Sequence, residues 1–446
     1  MHYMETSLSL VLRISSNYLR CIILLYLITV LHGSINAQNT FYYNSYKHWT
    51  PTLETLASHG NDAMAIVSLG SCYDRADGID RNTDKAFELF KQAAKLGDFL
   101  ALYNLGYYYF KGISTNPNNA EAEKNLLEAV RKNPKFMPAY QILAQIYDKG
   151  GYGVDIDYTK AFEMYSKASE YGDKIADFNI ASYYKRGLIK GVPDYKKSLE
   201  YYLKAKDYWE AHIKPAGLVA HQIAEFYLYG FGMEPDLDKA IFYLKESVDL
   251  GFPDAYMNLA TAFNKKGDLN NAFQSLLIGF EKGVKQVCNN LGDCYYYGRG
   301  TEKSFEKAYE MFMIGSETSP FCKYRQSEML RKGEGTTQNV NQAMSLLRES
   351  ADAGVGRAQY RLGCDLYEGS LIDRNYSEAI DLLKKALHDK YIIDEVKGDI
   401  CRKLSICYRF GRGVEANEQQ AEKYSQQAAE YGEPNAKLVQ EWLSTY

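Results

Sequence analysis

Small and apolar residues recur along this chain with a helical spacing that repeats every 32 to 43 residues. An apolar residue precedes a small one in most copies, an aromatic residue or leucine follows three positions later, and a glycine usually follows six positions later. The ten small residues are Gly70, Gly106, Ala144, Ala181, Ala224, Ala260, Gly292, Ser327, Gly363 and Ser405. This pattern predicts a helix with a fixed packing stripe, ended by glycine.

A second set of small residues predicts a second helix in every copy. They stand seven apart, close to two helical turns, so both members of a pair face the same way. The pairs are Ala86/Ala93, Ala122/Ala129, Ala161/Ala168, Ser198/Ala205, Ala240/Ser247, Ala272/Gly279, Ala308/Gly315, Ala343/Ser350, Ala379/Ala386 and Ala421/Ala428. Small side chains let two helix axes approach closely, and the large residues between them fill the next groove.

Ten helix pairs therefore occupy residues 61–432. No pair can bury its apolar face alone, so neighbours must stack into a continuous core, and we predict an all-α, right-handed α-solenoid in one domain. Residues 38–60 form an N-terminal segment with a capping helix, and residues 433–446 a C-terminal capping helix. Within the longer connection 206–217, Lys214-Pro215 must lie in a loop or start a helix.

The repeated motif resembles the Sel-1-like repeat, a relative of the tetratricopeptide repeat. The resemblance rests on Leu291 to Gly300, on Asp236-Leu-Asp-Lys-Ala240 and on Ala428-Ala-Glu-Tyr-Gly432, and ten copies cover nearly the whole chain after residue 60. The copy at 252–283 departs from it and looks more like a plain tetratricopeptide unit, and the copy around Ser327 also drifts. The resemblance implies an adaptor that assembles protein complexes in a bacterial periplasm, at a cell surface or in the ER lumen.

The first 37 residues have the character of a secretory signal. Arg13 and Arg20 precede the apolar run 21–31, which is too short to cross a bilayer as a helix, and small polar residues follow. We predict cleavage after Ala37, with an uncleaved anchor as the alternative. Export then leads to the periplasm, cell surface or medium in a bacterium, and to the ER lumen or medium in a eukaryote. Membrane contact is expected only through this segment, if it is not cleaved.

Composition excludes several classes of protein. With 46% hydrophobic and 24% charged residues and a net charge of −4, the chain is neither disordered, nor a multi-span membrane protein, nor a strongly basic nucleic-acid binder. After signal removal the cysteine count is odd, and no C-x-x-C occurs. The cysteines are therefore read as buried helical residues, although one or two bridges remain possible in an oxidising compartment.

The sequence offers little support for catalysis. Neither histidine spacing nor glycine pattern indicates a metal or nucleotide site, so we expect no metal and no cofactor. Ser182-x-x-Lys185 and Ser304-x-x-Lys307 match the Ser-x-x-Lys element of enzymes that act on β-lactams, and some exported members of the resembled family have been linked to β-lactam binding. The companion Ser-Asp-Asn and Lys-Thr-Gly elements are absent. The alternative function is a cell-envelope enzyme acting on β-lactams or peptidoglycan, but we predict no enzyme.

By analogy with the tetratricopeptide groove, the first helices should line a concave wall. Residues three before, one after and five after each small residue should face inward and contact a protein or peptide partner. The candidates are Tyr103, Tyr107, Lys111, Gln145, Lys149, Phe178, Arg186, His221, Glu225, Tyr324 and Tyr360. The aromatic residues and basic row suit an extended peptide or acidic segment. Two structural alternatives stay open: lysine complements the helix dipole, and tyrosine packs between repeats.

Overall fold

The computed structural model describes residues 48–209 and 213–432, and its regular elements in those ranges are helices, with one isolated β-bridge between Gly151 and Val154. The predicted signal (1–37) and C-terminal capping helix (433–446) lie outside the described residues and stay predictions. No helix within the described ranges is both long and apolar enough to span a membrane.

The helices form the ten predicted pairs, preceded by α1 (Pro51–Ser58). The first helices of the pairs are α2 (Ala63–Arg75), α4 (Phe99–Lys111), α6 (Met137–Lys149), α8 (Lys174–Arg186), α10 (Ile213–Tyr229), α12 (Ala255–Lys266), α14 (Cys288–Tyr297), α16 (Pro320–Lys332), α18 (Gly356–Glu368) and α20 (Asp394–Phe410). The second helices are α3 (Thr83–Lys95), α5 (Asn119–Lys132), α7 (Tyr158–Glu170), α9 (Tyr195–Trp209), α11 (Leu237–Asp249), α13 (Leu269–Glu281), α15 (Phe305–Gly315), α17 (Val340–Asp352), α19 (Tyr376–Leu387) and α21 (Glu418–Glu430). A 3₁₀ turn, Lys285–Val287, precedes α14. Because α10 begins at Ile213, Pro215 lies in the first turn of a helix, as expected.

One polar residue fixes the turn between the two helices of each pair. In the second repeat, the backbone N–H of Asn118 donates to the carbonyl of Tyr109 at 2.9 Å, and the Asn118 side chain accepts from the N–H of Glu121 at 3.0 Å. This side-chain bond satisfies one of the free N–H groups at the start of α5. The same arrangement recurs at Asn82, Asp157, Asp194, Asp236, Asp268, Ser304, Asn339, Asn375 and Asn417.

Where the small residue of a first helix is glycine, it accommodates a large side chain from the second helix. A Cβ on Gly106 would lie 2.7 Å from Leu126 Cγ, and a Cβ on Gly292 would lie 2.6 Å from the Phe312 ring. Both large side chains are fully buried. This close approach confirms the packing role that the spacing predicts, and it explains why these positions exclude larger residues.

The described chain divides into two compact units, one ending at Phe252 and the other beginning at Pro253. The first contains α1–α11 and the second α12–α21. The boundary falls at the start of the copy at 252–283, which departs from the repeat motif but still folds as a helix pair, α12 and α13. The prediction of one continuous solenoid over 61–432 stays a prediction, and each unit is described separately below.

Candidate partner-binding surface

We call the residues three before, one after and five after the small residue of each first helix the stripe positions. They are four residues apart, so the three positions of one helix lie along the same face. The repeat register alone defines them. Their exposure and contacts differ from repeat to repeat, and these differences decide which of them can meet a partner.

In α4 the stripe positions form a half-buried aromatic row that ends in a lysine. The rings of Tyr103 and Tyr107 stack with centroids 6.5 Å apart, and Tyr103 also contacts the Phe136 ring edge to face at 5.0 Å. Lys111 Nζ lies 4.8 Å from the Phe110 ring centroid and 5.9 Å from that of Tyr107. Partial burial lowers the pKa of Lys111. The row offers aromatic area and a cation on one helix face.

The next two first helices continue the basic row, and their aromatic stripe residue, Phe178 of α8, is buried. Lys149 and Arg186 are exposed in the last turns of α6 and α8, and Gln145 is half-buried one turn before Lys149. Lysine and arginine at this end of a helix also interact favourably with its dipole, by about 0.3–1 kcal/mol. Both roles are compatible with the position of these side chains.

Glu225 lies in an ion pair that the sequence does not predict. Lys185 Nζ, on α8, donates to Glu225 Oε2 at 2.7 Å and to Gln222 Oε1 at 3.1 Å, both on α10. Elsewhere in this unit, the hydroxyl of Tyr108 donates to Asp74 Oδ1 at 2.6 Å, which links α4 to α2. Polar contacts between consecutive first helices therefore add to the apolar core.

Four of the candidate residues are buried and do not offer contact area to a partner. Phe178 packs edge to face on Tyr202 at 5.3 Å, and the His221 ring lies 4.9 Å from that of Phe252. Tyr324 is fully buried, and the Tyr360 hydroxyl donates to Asp399 Oδ2 at 2.9 Å. For these four residues the interpretation as partner contacts is corrected to packing between helices. Packing between repeats was the structural alternative for tyrosine, and it applies to Tyr324 and Tyr360.

In the second unit, α14 and α16 carry the acidic residues Asp293 and Glu328 at the stripe position that Tyr107 occupies in α4. Arg325 of α16 pairs with the stripe residue Asp293 of α14, with Nη2 and Oδ1 2.9 Å apart, and both residues are buried. Arg361 of α18 reaches Glu328 of α16 at 3.3 Å, and Glu328 also pairs with Arg331 at 3.0 Å. Sequence reasoning identified Asp293 as inward-facing but missed the arginines. Their shared position, one residue after the stripe positions Tyr324 and Tyr360, was the available signal.

The serines of the two Ser-x-x-Lys segments have different surroundings. Ser304 is the N-cap of α15: its Oγ accepts from the N–H of Lys307 at 3.2 Å and donates to Glu306 Oε2 at 3.1 Å. Lys307 Nζ lies over the Tyr295 ring at 5.4 Å. Ser182 is half-buried within α8. Ser304 therefore has a structural role, because its hydroxyl caps the second helix of its repeat.

The cysteines within the described residues are buried thiols. All seven lie outside any disulfide: Cys72, Cys288, Cys294, Cys322, Cys364, Cys401 and Cys407. Burial raises the pKa of Cys322 and of Cys364 to about 12, which disfavours the reactive thiolate. Across residues 48–209 and 213–432, histidine, cysteine and carboxylate side chains do not form a group of three that could hold a metal ion.

Comparison with known families agrees with the repeat register. The Sel1 repeat model matches nine segments of the chain: 63–98, 100–134, 138–173, 175–207, 219–252, 286–312, 321–355, 356–388 and 400–432. The chain belongs to the Sel1 repeat family. The nine matches leave out the pair α12–α13, the copy that departs most from the motif. In this Sel1 repeat protein the predicted family is thus confirmed.

Curated relatives are similar over part of their length. The chain is 27% identical over 303 residues to the ERAD-associated E3 ubiquitin-protein ligase component HRD3B of Arabidopsis thaliana, covering 56% of this chain and 47% of that protein. It is 25% identical over 265 residues to the chitin synthase regulator SKT5 of Saccharomyces cerevisiae, covering 58% and 33%. The chain therefore spans less than half the length of these two relatives.

A solved structure supports the fold. A protective antigen present in uropathogenic Escherichia coli strains, which displays an SLR fold, matches with a TM-score of 0.62 and 23% identity over 88% of this chain and 85% of that one. At this level of identity the likeness concerns the fold alone. It confirms the all-α architecture of stacked helix pairs.

Proposed function

We propose that this Sel1 repeat protein is an exported, non-catalytic scaffold that binds a protein or peptide partner on a concave face formed by its first helices. The observation that carries the proposal is the α4 row of Tyr103, Tyr107 and Lys111. Aromatic rings supply large contact area at low entropic cost, and a neighbouring cation adds charge selectivity. Lys149 and Arg186 extend the positive charge over two more repeats.

The relatives support an accessory role. One is named as a component of a ubiquitin-protein ligase and another as a regulator of chitin synthase. Each name refers to an enzyme that the protein accompanies or regulates, and neither names a reaction of the protein itself. Repeat arrays are suited to such roles because nearest-neighbour stacking creates an extended surface.

The basic row is tested by reversing its charge. Lys111, Lys149 and Arg186 are replaced together with glutamate, and proteins that co-purify from the native host are compared with those of the unchanged chain. The matched control replaces three exposed lysines on the second helices of the same repeats with glutamate: Lys124, Lys160 and Lys196. We expect loss of specific partners from the first variant only. Equal partner sets for both variants would contradict binding at the basic row.

Export rests on residues 1–37 and is tested separately. If the signal is cleaved after Ala37, the protein purified from its native host begins at Gln38. An intact N-terminus in a membrane fraction would support the uncleaved anchor instead. An intact N-terminus in the soluble cytosol would contradict export.

A further inference from the structure

The chain contains a single asparagine that is followed two residues later by serine or threonine with no proline between them. This asparagine, Asn375, precedes Tyr376 and Ser377 at the start of the second helix α19. Asn375 and Ser377 are exposed, and the Tyr376 ring packs edge to face on that of Tyr367 with centroids 5.4 Å apart. Asn-x-Ser is an acceptor sequence for N-linked glycosylation in exported proteins. We call residues 375–377 the Asn-Tyr-Ser segment.

The side-chain amide of Asn375 uses its two polar atoms differently. Oδ1 accepts from the backbone N–H of Glu378 at 3.1 Å, which caps α19. Nδ2 donates to Glu378 Oε2 at 3.3 Å, longer than the about 2.7–3.2 Å of a usual N–H···O bond. In N-linked glycosylation the sugar is attached to Nδ2, and Oδ1 keeps its lone pairs. The modification and the helix cap are therefore compatible on the same residue.

Capping explains the asparagine of this segment but not its serine. Asparagine also caps four other second helices, where its Oδ1 accepts from the backbone N–H three residues later. These asparagines and the residues two positions after them are Asn82 with Asp84, Asn118 with Ala120, Asn339 with Asn341, and Asn417 with Gln419. They offer matched comparisons, because they share the cap and lack the acceptor sequence.

The next repeat covers the backbone of the Asn-Tyr-Ser segment. A Cβ on Gly413 would lie 2.5 Å from the carbonyl carbon of Tyr376 and would also overlap the backbone nitrogen of Ser377. The turn after α20 therefore packs directly on the start of α19. An enzyme that binds these residues needs their backbone accessible, so modification has to precede this packing. Because α19 is synthesised before Gly413, the segment is open during that interval.

We propose that Asn375 is N-glycosylated during export, with an oligosaccharide on a polyprenyl diphosphate carrier as the donor. Nδ2 forms a bond to the anomeric carbon of the first sugar, the bond from that carbon to the diphosphate oxygen breaks, and Nδ2 releases one proton. The electron pair of the broken bond stays on the diphosphate, so the transfer needs no oxidant or reductant. The glycan is attached at the turn between α18 and α19 rather than on a first helix. This inference rests on the export part of the proposed function and adds a covalent modification to it.

The test compares two capping asparagines in the full chain purified from its native host. Trypsin releases the Asn-Tyr-Ser segment on peptide 375–384 and the capping residue Asn417 on peptide 413–423. Mass spectrometry with fragmentation shows whether each peptide carries a sugar and on which residue. Ser377→Ala removes the hydroxyl and keeps the Asn375 cap, while Ser377→Thr keeps both and serves as the matched control variant.

We expect a glycan on peptide 375–384 from the unchanged chain and from Ser377→Thr, located on Asn375 by fragmentation. Ser377→Ala should abolish it, because the acceptor sequence requires a hydroxyl residue at this position. Peptide 413–423 should carry no sugar in any variant. An unmodified peptide 375–384 from the unchanged chain would overturn the inference, and so would a glycan that persists in Ser377→Ala or is located on Tyr376 or Ser377.

The same digest separates failure of this inference from failure of the proposed function. If the N-terminal peptide begins at Gln38 and Asn375 is unmodified, export stands and the glycosylation site is wrong. If Asn375 carries the glycan but reversing the charge of Lys111, Lys149 and Arg186 leaves the partner set unchanged, the site stands and the partner surface is wrong. An unmodified Asn375 in a cytosolic chain with an intact N-terminus would contradict both export and the site.

Discussion

The close contact between Gly315 and Cys322 allows a sharp test of how the repeats pack. A methyl group on Gly315, the last residue of α15, would lie 2.6 Å from Cys322 Sγ and 3.1 Å from Cys288 Cβ. Carbon atoms in favourable contact are about 3.5–4.0 Å apart, so Gly315→Ala must push α16 away from α15. Cys322 stands five residues before the small residue of its first helix. The corresponding residues Ala101, Ala139, Ala176, Ala255 and Ala358 are fully buried alanines.

The magnitude follows from the overlap. Overpacking a core by one methyl costs about 1–3 kcal/mol, and the higher helix propensity of alanine returns at most about 1 kcal/mol at a helix end. We therefore expect Gly315→Ala to reduce the free energy of unfolding by about 1–2 kcal/mol. Cys322→Ala alone leaves a one-atom void and costs about 1 kcal/mol.

The double variant should cost less than the sum of the single ones. It places alanines at the positions that Ala129 of α5 and Ala139 of α6 occupy, so the methyl group fills the void left by sulfur. We expect a favourable coupling of about 1–2 kcal/mol between the two changes.

Urea unfolding followed by circular dichroism at 222 nm measures the coupling in the full chain. Cys407→Ala, a buried cysteine on α20, is the control that should add independently to Gly315→Ala. If Gly315→Ala and Cys322→Ala also add independently, the reasoning from the contact at Gly315 is refuted.

Three further outcomes are expected. Asn118→Ala removes the cap of α5 and should cost about 1 kcal/mol in urea unfolding, whereas Asn118→Asp should cost little. Burial raises the pKa of Asp365 to about 6 from 3.8, so the folded chain keeps a proton that the unfolded chain has released. The resulting stabilisation is complete below pH 3.8 and is lost as the pH rises to about 6. Asp365→Asn should therefore show a smaller loss of stability between pH 4 and 7 than the unchanged chain, and an identical pH profile would contradict this. A fluorescent penicillin should not label the chain covalently, and labelling that disappears in Ser304→Ala or Ser182→Ala would establish the enzyme alternative.

The repeat register made most of the fold predictable because it reports local geometry. A small residue, an aromatic residue three positions on and a glycine six positions on specify where a first helix packs and ends. The ten helix pairs, the role of Gly106 against Leu126 and the start of α10 near Pro215 all follow from such short-range patterns. The division at Phe252 was not predicted, because it depends on contacts between elements rather than on spacing.

The candidate surface was predictable only in part, for a physical reason. Tyr103 and Tyr324 occupy the same repeat position, yet Tyr103 is half-buried and Tyr324 is fully buried. Their burial is set by side chains on neighbouring helices, which the register of one helix does not contain. The pairs Lys185–Glu225 and Arg325–Asp293 join residues 40 and 32 positions apart and depend in the same way on the partner helix.

The central claim is that a partner contacts the first helices, and site-specific photo-crosslinking tests it most directly. A photoreactive phenylalanine analogue replaces Tyr107 on α4, and in a matched variant it replaces Leu127, an exposed residue on the second helix of the same repeat. Irradiation in the native host should give a discrete crosslinked product from position 107 and none from position 127. Crosslinking from position 127 alone, or equally from both, would contradict the account.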